Sequence, residues 1–285
     1  MTSTHHAPNS PLITLRNRRP DHRAWQQTIH ERSRVFAPYA TVAAPLFALS
    51  TWPTMDELTV SLRAQCRAAQ LEPHAFVRQV SQRGRVRMLS ESYDGSIVTR
   101  REIPTRDSHW HDLMNALVWI ALPQTKCALH TLQYGLLAAR AEPDGRMAPG
   151  PRTPEHDTVA MLDEGGVMVL CAESLVEPLC RSLAALDRSV LDAALRAESA
   201  VMLVLGHGIL ESTVLAGALP DTHALAWILP VESVSAHQSL RGVDKRLACA
   251  LTSNEARPTR RARPSVLLQE RWLQTLPAHA WAGPS

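Results

Sequence analysis

A chain of 285 residues, 45% hydrophobic and 20% charged, has the composition of an ordinary globular protein and is long enough for one large core or two small ones. No apolar run approaches the roughly 18–20 residues needed to span a bilayer, and Met1 to Asn17 holds no signal-peptide core. The expectation is therefore a cytoplasmic protein with no membrane partner. A net charge of +3 is too small to mark a nucleic-acid binder.

Five cysteines at 66, 127, 171, 180 and 249 form no CxxC pair and read as reduced, mostly buried thiols. Of 30 basic residues only Lys126 and Lys245 are lysines, which singles out Lys126 in a chain that otherwise uses arginine.

In chain order, residues 1–20 alternate proline with polar and basic residues and read as a disordered tail. A globular α+β domain is expected over 21–253, mostly helical with short strands around a single core. Helices are expected over 21–36 and 56–70, the second with Leu58, Leu62 and Cys66 on one face. Val86–Thr99 suggests short strands broken at Asp94-Gly95. Asp107 or Ser108 is a candidate cap for a helix from His109 to Leu122, and Pro123 suits the first turn of the next, to about 141. The runs 158–162 and 167–171, flanking Asp163-Glu164-Gly165-Gly166, predict a buried β-hairpin. Helices over 175–185 and 189–199, a strand over 200–205, a helix over 207–216, a strand over 225–231 and a helix over 235–251 follow. Residues 254–264 form an Arg/Pro-rich linker, whose Arg257, Arg260, Arg261 and Arg263 read as a solvated run more than a phosphate-binding one. The 265–285 segment, helical over 266–276, packs back on the domain.

The candidate site comes from helical phase. Around Trp110–Ala121 one wide arc is apolar, and His111, Asp112 and Asn115 share the rest with Ala116 and Trp119. That second sector carries no Lys, Arg or Glu, so both sides are expected to be buried and the polar groups to need partners. His207 and Glu211, four apart, share a face with Leu210, Val214 and Leu215, and Gly206 and Gly208 allow close backbone approach beside the histidine.

These same residues carry a resemblance. Pro104-Thr105-Arg106, Trp110-His111-Asp112, Asn115 to Trp119, Pro123 and Lys126, with the later Asp163-Glu164-Gly165 and Gly206-His207 with Leu210-Glu211, resemble a bacterial family catalogued as domain of unknown function 3025. The likeness runs over about 30–280. Met114, Leu122, His130 and Gly208 stand where that family carries an aromatic, a Phe, an Asn and an Ala. The resemblance implies no activity, cofactor or partner.

Two readings follow. In the first, His111, Asp112, Asn115, His207 and Glu211 are the catalytic set of a small-molecule hydrolase or lyase, with Arg106, Trp110, Trp119 and Lys126 contacting substrate. A divalent metal on His111, His207 and Glu211 is its metal-assisted version. In the second, the same groups are a buried polar network in a non-enzymatic ligand-binding or structural protein. The first requires segments 106–126 and 206–211 to meet. Asp163 and Glu164 are read as turn residues.

Overall fold

The computed structural model describes residues 24–79, 88–148, 150–237, 239–253 and 264–281. The expected tail over 1–20 and the arginines of the 254–264 linker lie outside the described residues.

Two 3-10 turns, Ile29–Glu31 and Arg34–Tyr39, lead into helix α1 (Ala40–Phe47). They replace the continuous helix expected over 21–36: Ser33 accepts the Val35 amide and restarts the chain, and Pro38 follows inside the second turn. Helix α2 (Met55–Ala68) opens on a full capping box, Thr54 and Glu57 bonding each other's backbone amides. Strand β1 (Ala75–Arg78) comes next.

The strands expected over 86–99 are not formed within the described part of that span. Ser92 Oγ accepts the Gly95 amide and starts a helical turn, α3 (Tyr93–Gly95), which runs on as a π turn over Ser96–Arg100. Asp94-Gly95 is therefore helical, and the Asp94 carboxylate is freed for a tertiary contact. Strand β2 (Glu102–Thr105) pairs in parallel with β1.

Helices α4 (Trp110–Ala121) and α5 (Pro123–Ala138) follow, with Pro123 in the first turn of α5 as expected. Neither Asp107 nor Ser108 caps α4. Its N-cap is His109, without a side-chain bond, while Asp107 pairs with Arg78 at 2.7 Å.

The hairpin is the largest departure. Residues 154–165 form helix α6 (Pro154–Gly165), because Thr153 caps it, Pro154 fits its first position, and Glu155 and Asp157 complement its dipole. Only its second half is a strand, β3 (Gly166–Cys171), buried at every residue. Then come α7 (Glu173–Ala184), α8 (Ser189–Arg196), β4 (Ala200–Val204), α9 (His207–Ala216), β5 (Thr222–Pro230), α10 (Leu240–Thr252), β6 (Ser265–Leu268) and α11 (Glu270–Thr275). The start of the helix expected over 266–276 is thus a strand.

The main sheet runs β4-β3-β5-β6, with β3 antiparallel to β4 and parallel to β5, and β5 antiparallel to β6. One continuous core joins its apolar face to α2, α4, α8 and α10, so helices and two small sheets make an α+β fold. No helix among the described residues is long and apolar enough to cross a membrane.

Candidate metal centre

Helix α4 is nearly encased: Trp110, Asp112 and every residue from Ala116 to Ala121 are buried, and only His111 and Asn115 are half-buried. The helical phase anticipated this two-sided burial. The polar stripe of α4 faces α9 and the C-terminal end of α6. Together they border a cleft of about 560 Å³ whose lining includes His111, Asn115, Glu164, His207, Tyr93 and Arg106.

Segments 106–126 and 206–211 do meet. His111 Nε2 lies 3.2 Å from His207 Nε2, and Glu164 Oε1 lies 3.4 Å from His207 Nε2 and 3.8 Å from His111 Nε2. Those separations bracket the edge, about 3.3 Å, of a tetrahedron drawn with the roughly 2.0–2.1 Å bonds of zinc to nitrogen and oxygen. Among the described residues, this is the one group of three His, Cys, Asp or Glu side chains whose donor atoms converge in this way.

Close approach of α9 to the end of α6 depends on glycine. A Cβ on Gly206 would fall 2.7 Å from Glu164 O, Gly165 Cα and Gly166 N, and one on Gly208 would fall 2.9 Å from Glu164 O. The chain at 206–208 is therefore bare where it passes the carboxylate-bearing turn, and His207 is delivered to Glu164.

The outer nitrogens of both histidines face carboxylates. Glu211 Oε2 sits 2.9 Å from His111 Nδ1. Asp163 Oδ1 sits 3.8 Å from His207 Nδ1, a buried nitrogen without a hydrogen-bond partner. Two neutral imidazoles cannot satisfy this arrangement. If both Nδ1 atoms carry the proton toward their carboxylates, two Nε2 lone pairs face each other at 3.2 Å. If His207 carries its proton on Nε2 instead, a bare Nδ1 faces Asp163. A cation between the Nε2 atoms, proton or metal, resolves the conflict. The Glu211 bond raises the His111 pKa against the opposing effect of burial. Burial pushes Glu164 up, but its bond to His207 and the charges of His207 and His111 bring it below the ordinary value.

The charge balance has the same sign. Asp94, Asp112, Asp163, Glu164 and Glu211 cluster here against Arg106, Lys126 and Arg152. Arg106 is committed: its backbone amide donates to Asp112 at 2.5 Å and its guanidinium at 3.0 and 2.7 Å. Lys126, fully buried, donates to Asp163 at 2.5 Å. Burial raises the Asp163 pKa, but Lys126, His207 and His130 hold it well below the ordinary carboxylate range. Neither cation is left free for an anionic substrate, whereas Arg152 is exposed on the cleft wall.

The other predicted site residues divide. Asn115 lines the cleft and donates to the Tyr93 hydroxyl at 2.8 Å. Glu211 supports His111 from outside the cleft lining, so the carboxylate of the converging trio is Glu164. Trp110 packs in an aromatic cluster with Trp25, Phe47 and Trp52, its ring 4.6 Å from that of Trp52. Trp119 is fully buried and stacks on His130 at 5.3 Å. Neither tryptophan lines the cleft.

Sequence reasoning missed Glu164 and Asp163, taken for a turn, and Asp94, His130 and Tyr93. His130 Nδ1 bonds Asp94 at 2.8 Å, and its buried Nε2 is 3.9 Å from Asp163. The available signal was the place of Asp163-Glu164-Gly165 among the motifs that carry the family resemblance, alongside those of the two histidines.

A family model described as protein of unknown function (DUF3025) matches residues 74–268, more than half of the chain. No curated protein and no solved structure matches it.

Proposed function

The chain belongs to the DUF3025 family, and we propose that it is a metal-dependent hydrolase or lyase acting on a small molecule, with His111, His207 and Glu164 holding one divalent transition ion. The observation that carries this reading is the convergence of two Nε2 atoms and one carboxylate oxygen at 3.2, 3.4 and 3.8 Å beside an open cleft. Two histidines and a glutamate are a recurring catalytic donor set for Zn(II) and Fe(II), with positions left for water and substrate. When bound, such an ion supplies Lewis acidity. Glu211 fixes the ring and tautomer of His111, and Tyr93 and Asn115 offer polar contacts to a ligand. Five unpaired cysteines support a reducing, cytoplasmic setting.

The test is metal analysis of protein purified without chelator, followed by titration of the stripped protein with Zn(II). Stoichiometric binding to wild type, lost in His207→Ala and Glu164→Ala, is the expected result. A wild type with no affinity for Zn(II), Fe(II) or Co(II) removes the metal.

A second reading rests on the fully buried Lys126 and the Asp94–His130–Asp163 contacts beneath the cleft, which suit a network that specifies the fold. It predicts that His207→Ala lowers the melting temperature sharply, with no metal effect.

A further inference from the structure

Lys126 is the least expected residue in the interior. Its side chain is 0% exposed, and a buried lysine paired with one aspartate contributes little net stability once desolvation is counted. Its partner Asp163 stands one residue before Glu164, in the last turn of α6. Asp163 Oδ1 takes the Lys126 ammonium at 2.5 Å and faces His207 Nδ1 at 3.8 Å. That nitrogen belongs to a side chain 4% exposed and has no hydrogen-bond partner. On the far side of the trio, Glu211 already occupies the equivalent position on His111, at 2.9 Å.

We infer that Lys126 and Asp163 are positioning residues for the centre: Lys126 anchors Asp163 as the outer carboxylate of His207, so that Nδ1–H points to Asp163 and the Nε2 lone pair points to the ion. The inference rests on the metal reading above and adds its second support. Metal-ligating histidines commonly donate their remaining N–H to a carboxylate, which fixes tautomer and orientation. The 3.8 Å gap exceeds a hydrogen bond, so closing it takes a shift of about 1 Å. The ammonium explains why the carboxylate is there to be met. Without it, an aspartate this deep would be an isolated charge. His130 Nε2, 3.9 Å from Asp163 Oδ2, faces the other oxygen and leaves Oδ1 to be shared by Lys126 and His207.

The experiment is Co(II) titration of the full chain, read by ligand-field absorption, with melting temperatures of the metal-free proteins in parallel. The double variant Lys126→Met/Asp163→Leu replaces the ion pair with apolar groups, which is commonly neutral or stabilising for a fold. Expected is a metal-free melting temperature at or above wild type, a 10–100-fold weaker Co(II) affinity and an altered absorption band. Asp163→Asn, close to isosteric, is expected to lose a similar factor and decides the matter if the double variant does not fold. Glu211→Gln supplies the benchmark on the other histidine. A folded double variant or Asp163→Asn protein that binds Co(II) as tightly as wild type, with an unchanged spectrum, overturns the inference while leaving the metal reading in place. A wild type that takes up no Co(II) overturns both, and does so before any variant is made.

Discussion

Asp112 occupies the first turn of α4 and there collects three bonds from Arg106, one from its amide and two from its guanidinium. Burial raises its pKa, but the Arg106 bonds outweigh that and leave it below the ordinary value. Charge-assisted bonds of this kind contribute about 1.5–3 kcal/mol each when one partner is well buried, less where the guanidinium is half in water, as here. Asp112→Asn removes the charge while keeping the shape. Its expected cost is about 1–2 kcal/mol, measured by denaturant unfolding. At this scale the sequence was informative where residue type and helical phase agreed. His111, Asp112 and Asn115 sit on a sector without a Lys, Arg or Glu, His207 sits on an otherwise apolar face shared with Glu211, and all four reach the cleft or its wall. It was uninformative at Glu164, because Asp-Glu-Gly-Gly between apolar runs is good turn chemistry, and nothing local says that a helix will end there instead. Lys126 stood out as a rare residue type, but only the fold shows that its charge is spent on Asp163.

Between elements, the decisive contact is the passage of α9 over the junction of α6 and β3. The backbone atoms that a Gly206 side chain would meet cannot swing aside as a flexible side chain can. Gly206→Ala is therefore expected to lower stability by about 1–3 kcal/mol, the range for forced overpacking. It is also expected to weaken Zn(II) binding, because relief of the clash pushes His207 away from Glu164. Calorimetric unfolding and a Zn(II) titration of the same preparation check both halves. The glycines flanking His207 were legible as a close approach, although the partner surface was not. The hairpin failed for a related reason. Thr153-Pro154 is a strong helix start, but it lies in a Gly/Pro-rich stretch that reads as loop, and 158–162 is apolar enough to pass for a strand. Periodicity over five residues does not separate a buried strand from a buried helix turn.

Across the molecule, several histidines are folded in as neutral groups. His74, His109, His130 and His156 all have pKa values lowered from 6.5, in each case first by burial. A histidine depressed in the fold binds fewer protons than its unfolded counterpart. The stability it confers is whole above about pH 6.5 and is lost as the pH falls through the folded value. His111, raised by Glu211, works in the opposite direction, one group against four. The melting temperature of the metal-free protein is expected to fall between about pH 8 and about pH 5, and a His74→Gln/His156→Gln variant to fall less steeply. A flat profile in wild type would contradict this account. The α+β class and most of the helices were readable from pattern. The order of the main sheet was not, since β3 sits between β4 and β5, antiparallel to the first and parallel to the second, and β2 lies in a separate sheet. The three converging donors, at positions 111, 164 and 207, share that dependence on distant chain. No short stretch of the polypeptide contains more than one of them. During synthesis the site therefore does not exist until α9 has emerged and docked, so any ion it holds is acquired only once α4, α6 and α9 have come together, and its retention reports that they have.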